Sequence, residues 1–192
     1  MKKKLLLHSC CAPCSSAVIE KLQNDFDLTI YYYNPNIYPQ AEFERRQNEQ
    51  IAYCKKLGID IIFGRYDPCE YDKAIKGMEN MPEKSPRCYA CYELRIQEVS
   101  KKAKEGGFDF FTTTLSISPH KNAQWINEIG KKFEFESCKF YEADFKKQNG
   151  YLRSLQLSKE NGFYRQEYCG CEMSMLARKE KERGQTQDGG GL

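Results

Sequence analysis

Seven of the ten cysteines in this 192-residue chain fall into three short groups, which are its strongest chemical signal. In a reducing compartment, clustered cysteines indicate metal binding or catalysis before they indicate a disulfide framework. The groups are Cys10, Cys11 and Cys14; Cys88 and Cys91; and Cys169 and Cys171. The three remaining cysteines, Cys54, Cys69 and Cys138, stand alone and are expected to be small buried hydrophobic residues.

The first two groups fit more than one kind of centre. A disulfide between Cys10 and Cys11 would be strained, because the backbone keeps neighbouring side chains apart. Adjacent cysteines also suit a single tetrahedral zinc ion poorly, whereas the separate irons of an iron–sulfur cluster accept thiolates from points further apart. The C-x-x-C pair at Cys88 and Cys91 is equally typical of a redox dithiol or half a zinc site. Spacing alone therefore leaves a cluster, a zinc site and a dithiol open.

The third group is a C-x-C pair with Gly170 at its centre. Such a pair either closes a tight, easily reduced disulfide or supplies two free or metal-bound thiols. Its position near the C-terminus leaves both interpretations open.

Five predicted strands alternate with helices, which favours an α/β fold with a parallel sheet covered by helices on both faces. The predicted strands are 4–8, 27–34, 59–64, 108–114 and 138–144. The predicted helices are 15–24, 41–57, 69–80, 89–105, 121–132, 150–162 and 171–184. We expect residues 1–183 to form a single catalytic domain, with 151–183 as a mostly helical extension and 184–192 as a disordered tail.

Composition excludes some classes of protein. The formal net charge of +3 does not identify a nucleic-acid binder, so an RNA partner would need a local basic face. No apolar run approaches the roughly 20 residues of a membrane span, and the apolar stretch near the N-terminus is shorter than a signal-peptide core of about 7–15 residues. We expect a cytoplasmic protein.

Segments that follow the predicted strands carry thiols, amides, hydroxyls, an imidazole and lysines. Ligands of open parallel sheets bind beyond the carboxyl ends of the strands, so this edge is the predicted active site.

Seven motifs make the chain resemble the QueH-type epoxyqueuosine reductases from about Leu5 to Met175. The motifs are CCAPC, NPNIYP, the pair Glu42 and Arg46, RCYACYELR, TTTLSISPHKN, DFKK and YRQEYCGC.

The resemblance implies a fold of the adenine-nucleotide alpha-hydrolase-like (HUP) group. It implies the two-electron reduction of epoxyqueuosine, at the wobble position of tRNA, to queuosine. It also implies a 4Fe–4S cluster held by Cys10, Cys11, Cys88 and Cys91, an adjacent mononuclear iron with Cys14 as a ligand, and a disulfide between Cys169 and Cys171.

Such a reaction needs electrons, protons and a grip on RNA. A cluster passes one electron at a time, so we expect an external donor resembling a ferredoxin or flavodoxin. His120 or Asp144 could supply a proton to the leaving oxygen. The predicted RNA-binding residues combine cations for phosphates with an aromatic ring for an unstacked base: Lys121, Lys146, Lys147, Arg165 and Tyr164.

The predicted fold and the cysteines also allow two other functions. An ATP-dependent tRNA-thiolation-type enzyme would normally carry a glycine-rich loop after the first strand, to hold pyrophosphate on backbone amides. Residues 8–16 contain no glycine, and Pro13 removes a backbone donor, so this function is disfavoured. The other alternative is a non-catalytic zinc-binding RNA module, which would be colourless where an iron–sulfur protein is brown.

Overall fold

A computed structural model describes the backbone of residues 1–188 and the side chains of residues 1–183. It contains one five-stranded sheet in the order β3-β2-β1-β4-β5, and every neighbouring pair of strands is parallel. The strands are β1 (Lys3–Ser9), β2 (Phe26–Tyr32), β3 (Asp60–Phe63), β4 (Phe110–Thr113) and β5 (Lys139–Phe140). The predicted α/β fold class is confirmed.

Within residues 1–188, seven α-helices connect and extend the sheet. They are α1 (Ala12–Leu22), α2 (Gln40–Leu57), α3 (Pro68–Ala74), α4 (Pro86–Glu105), α5 (Ala123–Lys132), α6 (Gly150–Asn161) and α7 (Glu172–Asp188). Two helices begin three residues before their predicted starts, α1 at Ala12 and α4 at Pro86. In both cases a proline occupies the first turn, where its missing N–H costs nothing and its fixed φ suits a helix.

The C-terminal end departs from the predicted disordered tail. Helix α7 continues to Asp188, so residues 184–188 have a helical backbone, while 189–192 lie outside the described residues. That residues 1–183 form a single domain stays a prediction.

Helices cover both faces of the sheet. Successive side chains of a strand point to opposite faces, so β1 contributes to the core on each side. Leu6 packs with residues of α4 and α5, such as Ile96 and Ile126. Leu5 and Leu7 pack on the other side, with residues of α1, α2 and α6. This two-sided packing fixes β1 in the centre of the sheet, and β1 leads directly into the first group of cysteines.

No helix of the described residues is long and apolar enough to cross a membrane. The predicted cytoplasmic location stays a prediction.

Candidate active site

The sulfurs of Cys10, Cys11 and Cys14 lie within 4.8 Å of one another at the carboxyl end of β1. The Sγ atoms of Cys10 and Cys11 are 3.8 Å apart and form no disulfide. Cys11 is the N-cap of α1 and has an extended backbone (φ −176°, ψ 160°), and Cys14 lies in the first turn of that helix. The junction of strand and helix therefore turns three thiols towards one point. This group is a donor set for a metal or an iron–sulfur centre.

Hydrogen bonds among these three thiols shift their pKa values in opposite directions. Hydrogen bonds from Cys11 and Cys14, with help from Lys121 and Arg95, lower the pKa of Cys10 well below its usual value. The same hydrogen bonds, together with burial, raise the pKa of Cys11, and the pKa of Cys14 rises to about 12. Metal binding would release the remaining protons, because the thiolate is the ligand.

Two cations, Arg95 and Lys121, lie close to the thiols. Arg95 is buried, and Lys121 is partly buried in the cavity beside Cys10 and Cys14. Burial alone would lower their pKa values, but nearby thiols, including Cys91, Cys169 and Cys10, raise them, so both stay charged. Neither forms an ion pair with a carboxylate of the described residues. A buried cation needs a negative partner, and Cys10, the thiol of this group whose pKa is lowered, is one for Arg95.

Helix α4 supplies the second pair of thiols from its first turns. Cys88 is partly buried and lines the cavity, and Cys91 is buried one turn further on. Burial raises the pKa of Cys91 to about 12, opposed by Arg95, whose Nη2 donates to Cys91 Sγ at 3.3 Å. These two thiols lie outside the 4.8 Å group formed by Cys10, Cys11 and Cys14.

The third pair lies on the loop between α6 and α7, held by a buried arginine from α2. Arg46 pairs with Glu42 at 2.7 Å and donates to the backbone carbonyls of Tyr168 (3.4 Å) and Cys169 (3.3 Å). Gly170 has φ +132°, and a Cβ there would lie 3.1 Å from Arg46 Nη1. The loop therefore needs glycine both for its backbone and for the space that Arg46 fills.

The two thiols of this loop have different surroundings. Cys169 is exposed, whereas Cys171 is buried and accepts a hydrogen bond from Arg87 Nη1 at 3.2 Å. Burial would raise the pKa of Cys171, but hydrogen bonds with Ser174 and the nearby Arg87 lower it. Both thiols are free, so the disulfide implied by the resemblance is not formed in this structure. The thiol of Cys171 faces inward, towards Arg87, whereas the thiol of Cys169 is exposed.

These elements enclose a cavity of about 390 Å³. Its lining comes from the first turn of α1, the start of α4 and the residues just before it, the segment 117–121, and the loop and helices after residue 150. The lining residues with reactive or charged groups include Cys14, Cys88, His120, Lys121, Arg165, Cys169 and Cys171. A cavity bordered by all three thiol groups is the place where a substrate would meet them.

His8, two residues before Cys10, is a positioning residue. Its Nε2 lies 2.9 Å from the carbonyl oxygen of Tyr33 and its Nδ1 lies 2.8 Å from Thr113 Oγ1. Burial and the charge of Arg95 lower its pKa to about 4, so it is neutral. With both ring nitrogens engaged, His8 joins β1 to its two neighbours and has no nitrogen left for a metal.

The predicted catalytic and RNA-binding residues separate in space. His120, Lys121 and Arg165 line the cavity, while Asp144 lines a different depression, together with Lys147. Asp144 also pairs with Lys146 at 2.9 Å. Since Asp144 does not reach the thiol cavity, the structure does not support it as a proton donor there.

Tyr164 is held against α2. The guanidinium carbon of Arg45 lies 3.4 Å from its ring centroid, and its hydroxyl lies 3.2 Å from Glu42. Among the lone cysteines, Cys54 and Cys138 are buried as predicted, whereas the prediction for Cys69 is wrong: it is exposed in the first turn of α3.

Sequence reasoning missed the partners of the sulfurs, namely Arg87, Arg95 and Gln166. The two arginines had a readable signal, because Arg87 directly precedes Cys88 and Arg95 follows Cys91 by one helical turn. Gln166 gave no local signal, since it donates to Cys11 across 155 positions of the chain.

Together, the parallel sheet and the thiol group at its carboxyl edge define an α/β enzyme with a metal or iron–sulfur cofactor. The family model described as epoxyqueuosine reductase QueH matches residues 5–177. The chain therefore belongs to the QueH family of epoxyqueuosine reductases, which are oxidoreductases.

Individual relatives agree with this assignment. A Streptococcus pyogenes serotype M1 protein named epoxyqueuosine reductase QueH is 40% identical over 178 residues, covering 89% of this chain and 70% of that protein. A Thermotoga maritima protein of the same name is 36% identical over 181 residues, covering 92% of this chain and 93% of that protein.

A solved structure shares the fold. The U34-tRNA thiolase NcsA from Methanococcus maripaludis, solved with its [4Fe-4S] cluster, matches with a TM-score of 0.53. The match covers 97% of this chain and 67% of that one, at 12% identity. At this identity the likeness concerns the fold alone.

Proposed function

We propose that this protein reduces epoxyqueuosine at the wobble position of tRNA to queuosine. The observation that carries the proposal is the buried group of Cys10, Cys11 and Cys14 beside a cavity at the carboxyl edge of the sheet. Membership of the QueH family supplies the substrate. The glycine-free junction after β1 argues against the ATP-dependent thiolation alternative.

The reaction consumes two electrons and two protons. Both carbon–oxygen bonds of the epoxide break, a carbon–carbon double bond forms, and the oxygen leaves as water. The electrons come from an external donor that we propose to be a ferredoxin- or flavodoxin-like protein.

The donor set fits a 4Fe–4S cluster. Cys10 and Cys11 would hold it from one side and Cys88 and Cys91 from the start of α4, with Cys14 free to bind an adjacent iron. When bound, the centre supplies electrons one at a time. The buried Arg95 and the partly buried Lys121 support this assignment, because their charges would balance the negative charge of thiolates and cluster.

The protein's own residues would then handle charge and protons at the epoxide oxygen. The charged Nζ of Lys121, in the lining of the cavity, would stabilise negative charge that develops on this oxygen. His120, in the same lining and exposed, would deliver a proton to it. Because the thiols lie in the lining of a 390 Å³ cavity, the modified base would have to leave its stack to reach them.

RNA would approach over the mouth of this cavity. Exposed cations in its lining come from three separate segments: Lys84, Arg165 and Lys181, while Arg178, also in the lining, pairs with Glu182 at 2.7 Å. Of the other predicted RNA-binding residues, Lys146 is paired with Asp144, and Lys147 lies at the separate depression. We therefore propose Arg165 and its neighbours in the lining as the main phosphate contacts, and Lys146 and Lys147 as peripheral ones.

A salt titration of tRNA binding tests this arrangement. Replacing Lys84, Arg165 and Lys181 by Gln should weaken binding and flatten its salt dependence by roughly one slope unit per lost phosphate contact. The matched control is the double variant Lys146→Gln and Lys147→Gln, which should change the slope less. A larger effect in the control would place the RNA on the α5 side of the molecule.

The proposed activity is tested with anaerobically prepared protein. Iron and sulfide are measured first, and tRNA carrying epoxyqueuosine is then incubated with the protein and a low-potential reductant. Nucleoside mass spectrometry should show loss of one oxygen atom from the modified base. A protein that contains zinc without iron or sulfide, or that leaves the base unchanged, would contradict the proposal.

A further inference from the structure

Gln166 connects the C-terminal segment to the first thiol group. It lies in the loop between α6 and α7, lines the cavity, and donates a hydrogen bond from Nε2 to Cys11 Sγ at 3.3 Å. In the same loop, Arg165 directly precedes Gln166, and Cys169 follows it three positions later. The contact therefore joins the substrate cavity to a proposed cluster ligand.

The side-chain amide of Gln166 is oriented so that its N–H group meets the sulfur while its oxygen is left without a partner. Its Oε1 is buried and has no hydrogen-bond partner among the described residues. Leaving a buried acceptor unpaired costs on the order of 1–3 kcal/mol. The reverse orientation would place the amide oxygen against a sulfur that is anionic once it binds a metal. The N–H group is thus directed at sulfur, even though the oxygen gains nothing from this arrangement.

We propose that Gln166 is a positioning residue that raises the reduction potential of the bound centre through its hydrogen bond to Cys11. The inference rests on the proposed function, since it needs Cys11 to be a cluster ligand. A hydrogen bond to a ligand thiolate draws electron density from the sulfur and so stabilises the more negative, reduced state. Removing the donor should make the centre harder to reduce.

Two variants remove the donor in different ways. Gln166→Met keeps a similar length without any hydrogen bond, and Gln166→Glu keeps the shape but replaces the N–H donor with a carboxylate oxygen. Gln156→Met is the matched control, because Gln156 is exposed on α6 and contacts Arg153. All proteins are prepared anaerobically, analysed for iron and sulfide, and titrated potentiometrically while the spectrum of the centre is followed.

We expect all four proteins to bind equal iron and sulfide. The midpoint potential should fall in Gln166→Met, fall further in Gln166→Glu because of the added negative charge, and stay unchanged in Gln156→Met. Iron-loaded Gln166 variants that titrate at the wild-type potential would overturn this inference and leave the proposed function intact. A wild-type protein without iron would overturn the proposed function and this inference with it.

Discussion

The two ends of the cysteine-rich site are built in different ways. The strand-one loop (residues 9–14) runs from the last residue of a central buried strand into the first turn of a buried helix, so its thiols are placed by the backbone of the core. The C-x-C loop (residues 168–171) has no regular structure on its N-terminal side, and side chains and backbone atoms of other elements hold it. These contacts come from Arg46 and from the amide of Tyr38, which donates to Gly170 at 2.8 Å.

This difference separates two kinds of sulfur chemistry. Thiols fixed by the core can keep a constant geometry, which a resident metal or cluster needs. A loop attached by a few contacts, with Cys169 exposed, leaves a thiol accessible to other molecules. The comparison therefore assigns metal binding to the strand-one loop, and the predictions below test that assignment.

The largest effect should follow from losing a ligand of the strand-one loop. Cys10→Ala or Cys11→Ala should lose most iron, sulfide and visible absorbance, as should Cys88→Ala or Cys91→Ala from α4. Cys54→Ala is a control, since this thiol is buried far along α2 and contacts Gln50. Metal analysis of anaerobic proteins measures the outcome.

The variant Cys171→Ala asks whether the two loops form separate centres. We expect it to retain its iron. If it lost as much iron as Cys10→Ala, both loops would hold one centre and the comparison would fail.

A smaller but specific loss is expected at Cys14. Cys14→Ala should keep the cluster spectrum while losing about one iron per chain and nearly all turnover, because its sulfur would bind the adjacent iron. Cys14→Asp supplies another anionic ligand and should retain both. Iron analysis and single-turnover rates measure the result, and normal turnover by the Ala variant would exclude a catalytic iron at this position.

Arg46 should matter mainly to the C-x-C loop. Arg46→Met removes one partner of a buried ion pair and two hydrogen bonds to the loop, which should lower the free energy of unfolding by about 3 kcal/mol. It should also speed alkylation of Cys171 while leaving bound iron unchanged. Urea unfolding and mass spectrometry of alkylated thiols measure these effects.

Arg45→Met is the matched control for Arg46→Met. Arg45 is exposed and stacks on Tyr164, so its loss should cost about 1 kcal/mol or less. Equal effects of the two variants would mean that the C-x-C loop does not depend on Arg46.

Sequence reasoning reached the parts of the site that depend on local order. The sheet was predictable because strands and helices alternate, and the position of Cys10 and Cys11 followed from the end of the first strand. Asp144 was predicted to lie at the active site because every loop that follows a parallel strand lies at the same edge of the sheet. This rule does not say how far along that edge a loop lies from the central strand. The segment after β5 instead leads to a separate depression.

Contacts between distant segments were beyond sequence reasoning. Arg46 and Glu42 form a recognisable pair four residues apart on one helix, but nothing local links them to a loop more than 120 positions away. The position of Lys121 beside the thiols was also not readable, because a lysine in a loop gives no sign of which groups lie near it; its predicted role in RNA binding stays a prediction.

The smallest expected effect concerns Gly170, where both the backbone conformation and the packing of Arg46 require glycine. Gly170→Ala places a side chain where φ is +132° and where its Cβ would lie 3.1 Å from Arg46 Nη1, so it should cost about 1–3 kcal/mol. Gly162→Ala is the control, because φ there is +65° with no atom within 4 Å of the new Cβ, which leaves only a backbone cost of about 1 kcal/mol. Urea unfolding of the two variants gives the difference. If Gly170→Ala cost no more than Gly162→Ala, the loop would yield to the new side chain without disturbing Arg46, and the conclusion that the loop needs glycine at position 170 would be wrong.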